Sequence, residues 1–309
     1  MEYRNLGNSG LKVSEISLGG NTFGWHIDEQ ASINLIHGAL DMGINYIDTA
    51  DFYDRGTSEK YVGKALEDKR SQVILASKFG LRLNDGPNEV GGSRYYIMKA
   101  VDASLKRLNT DYIDLYQMHR PDPTTPIEET LRALDDLVRA GKVRYIGCTN
   151  FVAWQLVEAL CASKSSNLES FTTVQVRYNL LERNLGKELL PCCEKYGIGL
   201  IPWAPLAAGF LTGKYHRNDI PANARLANPQ ALYGNVVCEA NFDKLEKLEK
   251  FVAEHGHSIL ELAISWLLSH KCLSTIIAGA TTIEQVSANI DAAGWKLTAE
   301  EMAELDQIC

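Results

Sequence analysis

Apolar runs that break abruptly into polar residues recur along the chain, and stretches of helical period follow most of the breaks. Asn45-Tyr-Ile-Asp-Thr-Ala-Asp-Phe-Tyr53 shows this most sharply: Ile44 and Tyr46 alternate as in a buried strand, and the chain turns polar at Asp48. The same pattern predicts strands over 13–18, 44–48, 72–77, 111–118, 143–147, 172–176, 198–202 and 274–278. It predicts helices over 29–42, capped by Asp28, and 58–66, capped by Ser58. Further helices are expected up to Leu108, from Pro126 to Gly141, up to about Ala162, and over 185–196, 241–254, 258–269, 282–291 and 298–307. Residues 2–13 read as a hairpin around Asn8-Ser9-Gly10.

Strands that alternate with helices imply a parallel sheet. Eight such units in 309 residues fit a closed (β/α)8 barrel better than an open sheet. The expectation is one α/β domain over 1–309, with an N-terminal β-hairpin, a long loop after the seventh strand and extra C-terminal helices. That loop, 203–240, contains Gly, Pro and Asn and has no clear period. Its length and few apolar anchors predict a lid, with Gly209 and Gly213 as hinges and a Pro/Asn-rich stretch from Pro221 to Pro229; the alternative is a rigid surface excursion packed through Phe210, Leu211 and Tyr215.

Composition narrows the function. A net charge of −8 without a long basic cluster argues against a nucleic-acid partner. No stretch reaches the ~18 apolar residues of a membrane span, and Met1–Gly7 reads as no signal peptide. The seven cysteines lack CxxC spacing, and adjacent Cys192 and Cys193 are poorly placed to bridge each other, which fits reduced thiols in a cytoplasmic chain. Gly19, Gly20 and Gly24 have the wrong spacing for a GxGxxG turn, and no Walker sequence appears. His255-Gly-His257 lies between two helices without a third ligand nearby, so no metal is expected there.

The chemistry collects at strand ends. Asp48 and Tyr53 follow the second strand, Lys78 the third and His119 the fourth. In a barrel these ends converge on one face. Asp48 can hold Lys78 charged, and an ammonium beside Tyr53 lowers the phenol's pKa from its ordinary ~10. A phenol so tuned can protonate a carbonyl oxygen as hydride reaches the carbon. His119 can orient the carbonyl or share the proton. Among the aromatics that could line a pocket, Trp25 and Phe52 are best placed, beside Tyr53 and His119. Arg55 and Arg120 lie near the same mouth, either as anion binders or as solvent charges.

Asp48, Tyr53, Lys78 and His119, set in DTADFY, ASK and MHRPD, resemble the catalytic tetrad of the aldo-keto reductase superfamily. The resemblance extends to Gly147-Cys-Thr-Asn-Phe151, Gln175, the 203–215 segment and the 279–289 segment, and so covers nearly the whole chain. It is strongest toward the branch shared by bacterial general reductases and potassium-channel β-subunits. The resemblance implies a TIM-type (β/α)8 barrel with NADP(H) across its C-terminal mouth, NAD(H) being possible. It implies that Thr149, Asn150 and Gln175 hold the nicotinamide carboxamide and that Trp203 stacks on the ring. By the same resemblance Ala204, Pro205, Leu206, Ala207, Ala208 and Lys214 follow the pyrophosphate, and Arg225 reaches the 2′-phosphate. Gly279, Thr281, Gln285 and Asn289 would take the phosphate and adenine, and Gly20 and Asn21 the nicotinamide ribose, with Asp48 also among the cofactor-binding residues. Thr149 stands where the family often has Ser. Cations common in the family at Thr282 or Gln285 are absent, so preference for NADP rests on Lys214 and Arg225.

The implied partner is a small carbonyl or alcohol, with no nucleic acid and no membrane, for a monomer or homo-oligomer. A dinucleotide-sensing partner subunit with little turnover is the alternative, against which the presence of His119 weighs. A metal-dependent hydrolase built on Asp48, Asp51, Asp54 and His119 would leave Lys78 unexplained.

Overall fold

The structure, a computed structural model, describes residues 1–222, 224–227 and 234–309. It opens with an antiparallel pair, β1 (Tyr3–Asn5) and β2 (Lys12–Ser14). The parallel strands follow: β3 (Ile16–Gly19), β4 (Tyr46–Asp48), β5 (Ile74–Phe79) and β6 (Ile113–Met118), then β7 (Val143–Thr149), β8 (Thr173–Arg177), β9 (Gly199–Trp203) and β10 (Ile276–Gly279). They pair in chain order, and β10 returns to lie beside β3. The ring closes where Leu200 donates to the Cys272 carbonyl at 2.8 Å and accepts from Ser274 N–H at 2.9 Å. Helices α1 (Glu29–Asp41), α2 (Thr57–Ala65), α3 (Arg94–Leu108), α4 (Ile127–Arg139), α5 (Ala153–Ser166) and α6 (Gly186–Tyr196) connect the strands in turn. They are followed by α7 (Glu239–His255), α8 (Ile259–Leu268), α9 (Ile283–Asp291) and α10 (Ala299–Ile308). This is the expected (β/α)8 barrel with its hairpin.

The helices form where apolar residues repeat at helical spacing. In α4, Leu131, Leu134 and Leu137 fall on one buried face, while Glu128, Glu129 and Arg132 stay outside it. Each such leucine contributes about 1.5–3 kcal/mol by leaving water. The helix stops before Gly141, whose φ of 74° an L side chain rarely adopts. The hairpin closes the amino end of the barrel. Its Leu6 and Val13 pack with Tyr46, Leu115, Ile201 and Ile277, all buried. No helix among the described residues is long and apolar enough to cross a membrane.

Three expectations change. Residues 13–18 do not form one strand: β2 pairs with β1, the chain changes partner at buried Glu15, and β3 begins against β10. Ser58 does not cap α2. It lies inside the helix, fully buried, and its hydroxyl donates to Gly20 O and meets Thr49 Oγ1, both at 2.8 Å. The segment after β9 is well anchored. Phe210, Leu211 and Tyr215 are fully buried, and Phe210 packs on Tyr215 and on Phe242 of α7. Arg217 then binds Glu246 at 2.8 Å and Asp243 at 2.5 Å, with Glu239 as a third partner. Leu226 and Val236 are buried as well. Of the Pro221–Pro229 stretch, Asn223, Asn228 and Pro229 lie outside the described residues.

Candidate active site

Parallel pairing sets the site. Gly19 stands opposite Asp48, Asp48 opposite Ala76, Lys78 opposite Gln117, and Thr149 opposite Gln175. The carboxyl ends of β4 to β8 therefore meet across the barrel mouth. Asp48, Lys78, Gln117 and Gln175 are all buried there.

Asp48 is the hub. One carboxylate oxygen pairs with the Lys78 ammonium. The other accepts from Gln175 Nε2 at 2.9 Å and Gln117 Nε2 at 3.2 Å. Lys78 also donates to Thr49 O at 3.0 Å and lies 3.2 Å from the Tyr53 hydroxyl. Burial alone would discharge this lysine, but Asp48, and then Tyr53, outweigh it and hold its pKa above the ordinary range. The His119 ring stands edge-on to Tyr53, 5.9 Å between centroids. Burial, followed by the cations Lys78 and Arg120, pushes its pKa well down and so favours the neutral imidazole. The four expected residues are thus in one cluster.

The loops around the cluster interlock. Beyond Tyr53, Asp54 and Arg55 take φ of 44° and 53°, a strained pair of left-handed residues. A Cβ on Gly24 would stand 2.3 Å from Asp54 Oδ2, so the loop that carries Trp25 is seated on this turn. Arg55 donates to Leu83 O at 2.8 Å and ties down the loop after β5. Phe52, partly exposed, lies edge-on to His119, and Trp25 is about half exposed.

Of the positions assigned to a dinucleotide, Thr149, Trp203 and Gly279 are the last residues of β7, β9 and β10, and Gln175 lies on β8 opposite Thr149. Thr149 Oγ1 is buried and has no hydrogen-bond partner among the described residues, as has His119 Nδ1. Asn150, at φ 61°, donates to His119 O at 3.2 Å and accepts from Trp203 Nε1 at 3.2 Å. Gln175 turns its NH2 group to Asp48 rather than outward. Ala204, Ala207 and Ala208 all have positive φ, between 47° and 58°, although none is glycine. Such turns present backbone N–H groups to an anion. Pro205 and Leu206 lie between them. Exposed Lys214 holds its ammonium 5.3 Å from the Tyr215 ring centroid, and Arg225 is exposed. Gln285, in the first turn of α9, folds back to accept from Thr281 N–H at 2.9 Å, while Asn289 is buried within that helix. Gly279 ends β10 beside Asn21, and Gly20 leaves no room for a side chain against Ser58 and Asp48 O. The chemistry of this set, an orphaned buried hydroxyl beside Gln175, left-handed backbone turns after β9 and two exposed cations beyond them in the chain, fits a phosphate-bearing dinucleotide.

Gln117 had no sequence assignment, and Asp51 had one only as a ligand in the metal-dependent hydrolase alternative. Gln117 is a lone amide in the otherwise apolar end of β6, and that polarity was the available signal. Asp51, fully buried, has oxygens with no hydrogen-bond partner of good geometry among the described residues. Burial and then the neighbouring Glu59 push its pKa well up, against smaller opposing effects of Arg107, the Phe52 N–H and Lys78. An acid with a raised folded-state pKa favours the folded state below its unfolded pKa, near ~4, and that advantage is lost as pH rises toward the folded value. Asp51→Asn is therefore expected to gain about 1 kcal/mol or more over wild type between pH 5 and pH 8 in urea denaturation. A difference that stays constant across that range would show Asp51 to be ionised throughout.

His255 and His257 are engaged by neighbours: His257 stacks on Trp295 at 4.0 Å and meets Glu261, and His255 Nδ1 is 2.8 Å from Phe251 O.

A parallel barrel that gathers an ion-paired lysine, a phenol and an imidazole at its carboxyl face stands among the barrel enzymes. The family model of the aldo/keto reductase family matches residues 15–309. A probable voltage-gated potassium channel subunit beta of Oryza sativa subsp. japonica is 38% identical over 299 residues, 94% of this chain and 91% of the relative. An uncharacterized oxidoreductase of Bacillus subtilis is 37% identical, covering 100% and 96%. The versiconal hemiacetal acetate reductase of Aspergillus parasiticus is 36% identical, covering 99% and 96%. The chain belongs to the aldo/keto reductase family, which makes it an oxidoreductase of the carbonyl-reducing class.

Proposed function

We propose that this chain, as a single domain, interconverts an aldehyde or ketone with its alcohol using NADP(H), with Tyr53 as the proton donor. The observation that carries the proposal is the placement of the Lys78 ammonium between Asp48 and the Tyr53 hydroxyl. When bound, the reduced nicotinamide supplies the hydride. The protein's own residues manage the proton. Lys78, kept charged by Asp48, favours phenolate over phenol and so readies Tyr53 to release its proton to a carbonyl oxygen. His119, whose ring stands edge-on to Tyr53, orients that oxygen. Phe52 and Trp25 exclude water and leave an aromatic wall for the substrate.

Thr149, Asn150 and the carbonyl of Gln175 would hold the nicotinamide amide, with Trp203 fixed against the ring position by its bond to Asn150. The left-handed turns at 204–208 and Lys214 would take the pyrophosphate. Arg225 would read the 2′-phosphate through a charge-assisted contact. Arg225→Ala is expected to weaken NADPH about tenfold and NADH little, the scale of one charged hydrogen bond. Titration of Trp fluorescence with each cofactor measures this, and equal losses would remove Arg225 from that role.

A second reading follows from the relatives named as channel subunits: a dinucleotide sensor with little turnover. A carbonyl panel with NADPH and NADH, followed at the nicotinamide absorbance, decides between them. Oxidation of cofactor by panel members supports the reductase. Tight cofactor binding with no oxidation across the panel supports the sensor.

A further inference from the structure

Barrel interiors are filled mainly by branched apolar side chains, yet Gln117 is fully buried in this one with both ends of its amide engaged. It lies opposite Lys78 on β5 and Gly147 on β7. Its Nε2 donates to Asp48 Oδ1 at 3.2 Å, and its Oε1 accepts from Gln175 Nε2 at 3.4 Å. Gln175 Nε2 donates to the same Asp48 oxygen at 2.9 Å. An ionised carboxylate only accepts, so both amides must turn their NH2 groups to Asp48. That requirement closes a triangle of Asp48, Gln117 and Gln175, with Lys78 on the remaining oxygen of Asp48. The carbonyl oxygen of Gln175 takes no part in the triangle.

We propose that Gln117 is a positioning residue that joins the proton-donating cluster to the cofactor site. It fixes the charge on Asp48 and the pose of Gln175 as one hydrogen-bonded unit. Its kinetic consequence rests on the reductase reading; its consequence for cofactor binding does not. The positive end of the Gln117 amide dipole offsets part of the negative charge on Asp48. Without it the surroundings of Lys78 and Tyr53 become more negative, which disfavours phenolate. Tyr53 is also faced by Tyr46 and His119, with Arg120 beyond, and the substitutions below touch none of them. The alkaline limb of turnover therefore moves to higher pH. Gln175, freed from its tether, holds the nicotinamide amide less well.

The test uses Gln117→Met, Gln117→Asn, Gln175→Met and the Gln117→Met/Gln175→Met double variant. Turnover against pH at saturating NADPH, NADPH affinity by Trp fluorescence, and thermal melting are measured for each. Gln117→Met keeps the volume and loses the amide. It is expected to melt near wild type, lower turnover and NADPH affinity by up to about tenfold, and raise the alkaline limb by about half a unit. In the Gln175→Met background it should weaken NADPH much less, because the contact is already gone. Gln117→Asn keeps an amide with too short a reach and should behave like Gln117→Met. It decides the question by the same readouts if the Met variant does not fold. An unmoved alkaline limb with additive losses, or an Asn variant identical to wild type, overturns the proposal. If wild type binds NADPH but reduces no carbonyl, the reductase reading fails and affinity alone decides. Non-additive losses then sustain the joint role, and additive losses remove it.

Discussion

Tyr53→Phe is expected to slow carbonyl reduction by about 10²–10⁴-fold while leaving NADPH affinity nearly unchanged. The substitution removes one hydroxyl, which lies 3.2 Å from the Lys78 ammonium and beside the edge of His119. The ring that packs there is retained. Binding of the dinucleotide is assigned to other residues, so the loss should fall on the chemical step. Single-turnover reduction, with a deuterated nicotinamide to show that hydride transfer is rate-limiting, measures it. A Phe variant with near-normal turnover under those conditions would exclude Tyr53 as the acid.

The second large effect is on stability. Lys78 is fully buried, and so is the Asp48 carboxylate that it neutralises. Lys78→Met fills the space with an apolar chain but leaves that carboxylate with only its two amide donors. Breaking such a pair from one side costs about 3–5 kcal/mol, chiefly through the uncompensated buried charge. Removing the charge as well, in Asp48→Asn/Lys78→Met, should restore most of the loss without restoring activity. Urea denaturation at neutral pH reads both. A Lys78→Met protein within about 1 kcal/mol of wild type would show that Asp48 takes up a proton instead, and the ion pair would then explain little of the fold.

The sequence carried the barrel because its signal is repeated: each apolar run ends in a polar break, and a helical period follows. It also carried the cluster, since Asp48, Lys78 and His119 end consecutive strands and the fold brings such ends together. What it hid was pairing. Residues 13–18 look like one strand because alternation is blind to a change of partner at Glu15. Ser58 looks like a cap because caps and buried hydroxyls use the same residue types, and only the fold brings Gly20 and Thr49 to it. The segment after β9 looked loose because its anchors are not periodic. Phe210, Leu211 and Tyr215 were readable as the anchors of a rigid segment, but no local pattern announces that Phe210 packs on Tyr215 and on Phe242 of α7. Gln117 was readable as an oddity in β6, but its partners lie 69 and 58 residues away.

The closing seam of the ring also bears on the order in which the molecule can be finished. Ser17 donates to the Ile276 carbonyl across 259 positions of chain, and Gly7 N–H reaches the Ser274 hydroxyl across 267. The hairpin and β3 are the first parts of the barrel to leave a ribosome, and their partners are nearly the last. Until β10 arrives, β3 and β9 each present an unpaired edge, the arrangement most open to pairing with another chain. For a nascent chain of this design, protection of those two edges depends on the speed with which β10 and the helices that follow it are synthesised and docked.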